Sequence, residues 1–147
     1  MGISADLALF RAKRNTAVDE TMRGWVALGA VKKLQDAIQE EVYDAYQPHE
    51  YVRRGYNGGL IESSPENWDE QYDAATKTLT VRSTNRDDET GRLVAPVVES
   101  GKGYRYKVKI GPRPFHSVAE ENMIKDGVFE DALETGLKTK GFTVRKV

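Results

Sequence analysis

Residues 27–45 are ALGAVKKLQDAIQEEVYDA, and this stretch decides the fold because its apolar residues recur at the period of an α-helix. Successive apolar positions are four, three, four, four and three residues apart, which puts them on one face: Ala27, Val31, Leu34, Ile38, Val42 and Ala45. The pattern predicts a long helix from about Val18 to Ala45 with one buried side. Gly24 and Gly29 weaken its first half, so we expect a bend or a late start, and Pro48 marks its end.

The segment before this helix is short and ends in basic residues. Residues 4–14 are SADLALFRAKR, which suits either a short helix or an arm that becomes ordered on assembly. At 147 residues the chain has the usual length of one domain. We therefore expect a single domain over residues 1–147, in which residues 1–17 form a flexible or assembly-ordered arm.

Alternation of apolar and polar residues predicts a small antiparallel sheet after the long helix. A glycine-bearing loop leads into a first strand near Leu60, and Asp73–Lys77 is typical of a turn. Residues 78–84, TLTVRST, alternate at the strand period. The apolar segment Leu93–Val98 contains Pro96, which argues against a central strand position. Residues 104–110 predict a further strand with one core face and one basic face.

The C-terminal part predicts two helices, from about Phe115 to Lys125 and from Val128 to Lys140. The second carries an apolar face, and Gly141 provides a stop signal. The order of elements indicates an α+β fold, in which the long N-terminal helix and the C-terminal helices pack on a small antiparallel sheet.

Composition excludes several functional classes. The chain has no cysteine and two histidines, so disulfides, thiolate nucleophiles and cysteine zinc sites are excluded. Its 22 basic and 23 acidic residues give a net charge of −1, which creates no global attraction for nucleic acid. No apolar run is long enough for a membrane span, and the N-terminus lacks the pattern of a secretory signal. We expect a protein of the cytoplasm, unless a particle carries it out.

No catalytic constellation is evident. Gly101-Lys102 lacks the glycine and hydroxyl residue that a phosphate-binding loop needs. His116 and Ser117 are adjacent on a predicted helix and point in different directions, so His116 is better explained as a capping or interface residue. His49 is most simply a loop residue. We expect a protein that is not an enzyme and that uses no metal or other cofactor.

Two groups of polar and aromatic residues are candidates for contact with a partner. Arg53, Arg54 and Tyr56 offer guanidinium and aromatic groups suited to a protein interface or to phosphate. Arg105, Lys107 and Lys109 form the basic strand face, which is either simply solvated or meets an acidic partner or nucleic acid. Trp25 and Trp68 are expected in the core or at its edge.

Three short signatures follow one another in the chain: Gly58-Gly59-Leu60-Ile61-Glu62-Ser63, Val97-Val98-Glu99-Ser100-Gly101 and Pro112-Arg113-Pro114-Phe115. In this order, over roughly residues 20–140, the sequence resembles the neck, or head-to-tail joining, proteins of long-tailed bacteriophages. That family has a Gly-Leu-x-x-Ser segment after a helix, a hydrophobic Glu-x-Gly turn, and an Arg-Pro-Phe helix start.

The resemblance implies a structural virion protein that joins the portal or connector of the capsid to the tail and lines the DNA passage. It implies a cyclic ring of subunits, hexameric or dodecameric, in the virion neck, assembled in the host cytoplasm. The implied partners are capsid connector proteins and a tail-tube or tail-terminator protein, while genomic DNA passes without sequence-specific binding and no membrane takes part.

The signatures also divide into two expected roles. Glycine gives conformational freedom, proline stiffens the chain, and large apolar side chains anchor segments in the core. On these grounds scaffold roles are expected for Gly58, Gly59, Leu60, Gly101, Pro112, Pro114 and Phe115. Contact with neighbouring subunits is expected from Arg53, Arg54, Tyr56, Glu99, Arg105, Lys107, Lys109 and Arg113. Three alternatives stay open: a small nucleic-acid-binding module, a carboxylate-metal hydrolase or nuclease, and another virion part such as a tail terminator or minor capsid protein.

Overall fold

The computed structural model describes residues 2–45, 59–62, 65–104 and 111–147, which form five helices and one two-stranded sheet. The helices are α1 (Ile3–Thr21), α2 (Ala27–Ile38), α3 (Val94–Ser100), α4 (Phe115–Lys125) and α5 (Val128–Thr139). The strands are β1 (Trp68–Asp73) and β2 (Thr78–Ser83). The predicted α+β class is confirmed.

No helix in the described parts of the chain is both long enough and apolar enough to cross a membrane.

One long helix, Ile3–Asp44, dominates the fold. A π-helical segment, Met22–Val26, joins α1 directly to α2, and a second one, Gln39–Asp44, continues α2 to its end. The predicted late start is wrong, because the helix begins at Ile3 and Gly24 lies inside the first π segment. Packing of other elements against this region outweighs the low helix propensity of glycine. Of the predicted apolar face, Ala27, Leu34, Ile38 and Val42 are buried, Val31 is partly buried and Ala45 is exposed.

The two C-terminal helices pack on the long helix rather than on the sheet. Helix α4 lies along α2, and α5 runs antiparallel to the α1–α2 junction, with Gly136 beside Thr21 and Val128 beside Gly29. A Cβ atom on Gly136 would lie 2.2 Å from Cγ2 of Thr21, so this close approach requires glycine. Both helices agree with the predicted ranges to within one residue.

The sheet is a hairpin in which β1 and β2 pair antiparallel, with Trp68 opposite Ser83 and Asp73 opposite Thr78. The predicted turn and the second strand are confirmed, and the Asp73 carboxylate accepts a hydrogen bond from the turn amide of Ala75 at 2.9 Å. Strand β1 was not predicted, because most of its residues are polar. The predicted first strand near Leu60 is wrong, since Leu60 and Ile61 lie in a turn.

The apolar segment Leu93–Val98, in which Pro96 argues against a central strand position, lies in helix α3 except for Leu93, which is the residue at its N-cap. Pro96 occupies the first turn of this helix, where a backbone N–H has no partner inside the helix and proline is tolerated. The strand predicted over residues 104–110 lies, beyond Tyr104, outside the described residues.

Asp19 of α1 connects the hairpin to the long helix. Its Oδ1 accepts hydrogen bonds from Nζ of Lys77 and from the hydroxyl of Tyr72, both at 2.6 Å. The Lys77 ammonium and then the Tyr72 hydroxyl hold the pKa of Asp19 below its usual value. Partial burial and the Asp19 carboxylate raise the pKa of Tyr72 to about 12. Arg23 stacks over the Tyr72 ring, 5.2 Å from its centroid.

These shifts predict that the hairpin attachment weakens at both ends of the pH range. Asp19 has a lowered folded-state pKa, so its contribution is complete above the ordinary aspartate value of about 3.9 and is lost as pH falls through the lower folded value. Tyr72 has a raised folded-state pKa, so its contribution is complete below about pH 10 and is lost as pH rises toward 12.

The measurement is urea denaturation of the wild type, Asp19→Asn and Tyr72→Phe across pH. Asp19→Asn should be less stable than the wild type at neutral pH and should approach it in acid. Tyr72→Phe should remove the part of the stability loss at alkaline pH that comes from ionisation of the Tyr72 phenol. Equal pH profiles for all three proteins would contradict the attachment.

Candidate protein interface

The three signature segments, separate in the sequence, meet in one buried cluster. Leu60 and Ile61 of the turn, Val98 of α3 and Phe115 at the start of α4 belong to one core. Phe115 has no exposed surface. The apolar face of α2 completes this core through Leu34, Ala37, Ile38 and Val42. The scaffold roles predicted for Leu60 and Phe115 agree with these positions, and the same core includes Trp68 of β1.

Buried amide side chains hold the turn that carries Leu60. Nδ2 of Asn67 donates to the carbonyl oxygens of Leu60 and Glu62, at 3.1 and 3.0 Å, and Nδ2 of Asn85 donates to Gly59 O and to Oδ1 of Asn67. These bonds satisfy backbone carbonyls that no sheet or helix satisfies. Sequence reasoning missed this pair, because polar residues in loops give no signal that they will be buried.

Gly101 brings α3 close to the chain that precedes α4. Its φ of 66° is in the left-handed region, and a Cβ atom there would lie 2.6 Å from the backbone of Gly111 and Pro112. The backbone N–H of Arg113 donates to Val98 O at 3.1 Å across the same contact. Gly101 therefore acts as the C-terminal cap of α3 and as the site of a close backbone approach.

Glu99 caps helix α4 from outside that helix. Its Oε1 accepts a hydrogen bond from the backbone N–H of His116 at 2.7 Å and lies 2.8 Å from Nδ1 of the same residue. Pro114, the residue at the cap position of α4, has no side-chain acceptor, so the Glu99 carboxylate takes this role. His116 is thus the residue that Glu99 caps, and its expected role as a capping or interface residue stays a prediction.

Arg113 connects the start of α4 to the end of the long helix. Its guanidinium donates to Val42 O at 3.4 Å and to the hydroxyl of Tyr104. A cation at this position also suits the partial negative charge at a helix C-terminus. Glu99 and Arg113 therefore make contacts within the chain, and their role toward neighbouring subunits stays a prediction.

The structure does not describe the remaining candidate residues. Gly58, Arg53, Arg54, Tyr56, Arg105, Lys107, Lys109 and His49 all lie outside the described ranges. Pro112 and Pro114 are exposed beside the signature cluster. Within the described residues, no group of three or more histidine or acidic side chains is placed to hold a metal ion.

Comparison with known proteins identifies the family. A match to the YomN family spans residues 6–139. The chain belongs to the YomN family. It is 32% identical over 116 residues, which are 76% of this chain and 75% of the relative, to the SPbeta prophage-derived uncharacterized protein YomN of Bacillus subtilis strain 168. This similarity indicates a phage-associated protein. No solved structure matches the chain.

The YomN family match begins at Asp6, so it includes most of an exposed N-terminal helical segment. Residues 3–16 of α1, here called the arm, are exposed on all sides. The arm carries the large apolar side chains Ile3, Leu7, Leu9 and Phe10. Of the alternatives left open for residues 4–14, the structure shows a helix.

Four further large apolar side chains are exposed on the long helix, α4 and α5. Trp25, expected in the core or at its edge, is half exposed, and Leu28, Ile124 and Phe129 are also exposed. We call these four residues the apolar patch. Trp68 is buried as expected.

The close approach at Gly101 predicts a cost for adding one methyl group. We expect Gly101→Ala to lower the free energy of unfolding by about 2–4 kcal/mol, because it combines left-handed strain with overlap against Gly111 and Pro112. Gly91→Ala is the matched control, since Gly91 has a φ of 68° but nothing within 4 Å of its Cβ position. Chemical denaturation should show a clearly larger loss at position 101, and equal losses would mean that the contact is unimportant.

The full burial of Phe115 predicts a large cost for its truncation. We expect Phe115→Ala to lower stability by about 3–5 kcal/mol, through lost burial and the cavity that remains. Phe129→Ala, at a phenylalanine that is 39% exposed, should cost clearly less than Phe115→Ala. An unchanged thermal melting curve for Phe115→Ala would place this side chain outside the core.

Proposed function

We propose that this YomN-family protein is a structural, non-catalytic component of a phage neck that joins the portal or connector of the capsid to the tail. The observation that carries the proposal is the meeting of three separate signatures around Phe115. Those signatures resemble, in the same order, segments of head-to-tail joining proteins. Their spatial convergence supports a common architecture, since unrelated short matches have no reason to share one core.

The similarity to a prophage-derived protein also supports a role in a phage particle. The similarity covers 76% of this chain, so it includes most of the fold rather than a single motif. A phage-associated protein with this architecture fits a place in the virion better than a place in host metabolism.

The surface of the chain suits assembly with copies of itself and with other virion proteins. The net charge of −1 is made of many charges of both signs, which permits complementary contacts between neighbours. In this proposal the subunits form a closed ring of six or twelve by head-to-tail contacts and line the DNA passage without reading sequence. The ring meets a capsid connector protein on one side and a tail-tube or tail-terminator protein on the other.

The test is deletion of the gene from an inducible prophage that encodes this protein, followed by electron microscopy of the lysate. We expect DNA-filled heads and separate complete tails, with a loss of infectious particles of about a thousandfold or more. Expression of the wild-type protein from a plasmid should restore joined particles, and the protein should be present in purified virions at a constant ratio to the portal.

Four outcomes would count against the neck proposal. Joined and infectious particles from the deletion strain would show that the protein is not needed for joining. Heads without DNA would indicate a role in packaging, and tails of irregular length would indicate a tail terminator. Tight DNA binding by the purified protein that falls steeply with salt would favour the nucleic-acid-binding alternative.

A further inference from the structure

The arm has no partner within the described parts of its own chain over most of its length. Its fourteen residues, 3–16, make roughly four helical turns that project from the body. An isolated helix of this length is only marginally stable in water, and most helices in proteins depend on packing of an apolar face. The arm therefore has the features of an element that another molecule covers.

One side of the arm is an apolar stripe. Ile3, Leu7 and Phe10 follow one another in steps of four and three residues, and the same spacing leads on through Arg14 to Ala17 and Thr21. Ala17 and Thr21 are buried, and Gly136 of α5 lies beside Thr21. The stripe thus continues outward a face that the body of the protein already covers. Only Phe10 has a described ring contact, with Phe142 at 6.3 Å between centroids, and it stays half exposed.

The arm cannot cover the apolar patch of its own molecule. The helix is continuous from Ile3 to Asp44, so the arm extends away from Trp25 and Leu28 along the same axis. Folding back would require breaking the helix. Any contact between an arm and a patch therefore joins two molecules.

The patch offers a surface that suits the arm. Leu28 and Phe129 are the chain neighbours of Gly29 and Val128, which contact each other, and Leu28 and Ile124 are 70% and 74% exposed. Residues 120–131, which contain Ile124 and Phe129, hold five acidic residues and one lysine, a net charge of −4. All six of these charged residues are exposed. Two of the carboxylates form ion pairs within the chain, Asp126 with Lys33 and Asp131 with Lys146, both at 2.5 Å, so Glu120, Glu121 and Glu130 carry the acidic character that faces a partner.

The charge of the arm is opposite. Residues 3–16 contain Arg11, Lys13, Arg14 and Asp6, three basic residues against one acidic, which gives a net charge of +2. A basic helix with an apolar stripe is complementary to an apolar patch within an acidic segment, in both hydrophobic and electrostatic terms.

We propose that the arm of one molecule docks on the apolar patch of a second copy of this chain. The contact is head-to-tail, because it uses two different surfaces and leaves one free arm and one free patch on every pair. In the proposed neck ring, this docking is the contact between neighbouring subunits. The inference rests on the proposed function only where these contacts close into a ring. The pairwise contact is a property of the purified full-length protein.

The experiment measures self-association of the full-length protein by sedimentation velocity, from about 1 µM to about 1 mM. Leu7→Glu places a charge in the arm stripe, and Leu28→Glu places one in the patch. Leu9→Glu is the matched control, because Leu9 is equally apolar and exposed but lies on the opposite side of the arm. All three positions are exposed, and circular dichroism will verify that each variant is folded.

The wild type and Leu9→Glu should associate alike, whereas Leu7→Glu and Leu28→Glu should each associate about tenfold more weakly or worse. A mixture of Leu7→Glu and Leu28→Glu should form a pair of twice the monomer mass, because one intact patch and one intact arm remain. This restored pair should not grow further.

The docking proposal is overturned if the wild type is monomeric over the whole range, if Leu9→Glu loses as much association as Leu7→Glu, or if the mixture restores nothing. None of these results affects the neck proposal, which the deletion phenotype decides. Conversely, the sedimentation experiment could support arm docking while the deletion strain still produces joined particles. That combination would support this contact and reject the neck role.

Discussion

The ring of Phe115 packs against the apolar face of the long helix, and the other elements are arranged around that contact. Because no part of the ring reaches solvent, the turn at Leu60, helix α3 and the start of α4 must all close over it. Each of these segments brings its own constraint: amide side chains hold the turn, Gly101 permits the close approach of α3, and Glu99 caps α4. The signature segments therefore act as parts of one core.

The periodic parts of the fold are predictable from sequence, because helix and strand periods are local properties. The long helix, α4, α5 and β2 follow from them. Strand β1 does not, since Asp69, Glu70 and Gln71 give it no apolar alternation, and its pairing with β2 holds it in place. Helix α3 was not predicted, because its apolar segment is short and contains Pro96, and its helical state depends on the cap at Gly101 and on burial of Val98.

The residues that form the scaffold of the candidate site were predictable from the sequence, whereas the contacts between side chains in the site were not. Leu60, Gly101 and Phe115 have residue types that indicate turns and anchors, and the structure places them together. The bond between Glu99 and His116 joins residues seventeen positions apart, so only tertiary structure brings them into contact. Exposure of the arm is equally unpredictable from the sequence, because the spacing of its apolar residues resembles that of a buried helix. The position of α5 determines where the buried part of α1 ends.

The π segment Met22–Val26 sets the rotation between the two ends of the long helix. A π turn accommodates one residue more than an α turn, and each residue turns an α-helix by about 100°. Loss of one residue there would leave the core contacts of α2 intact but would rotate the arm stripe by about a quarter of a turn around the helix axis. Length variation in this short segment would thus change the direction in which the arm stripe faces without altering the body of the protein.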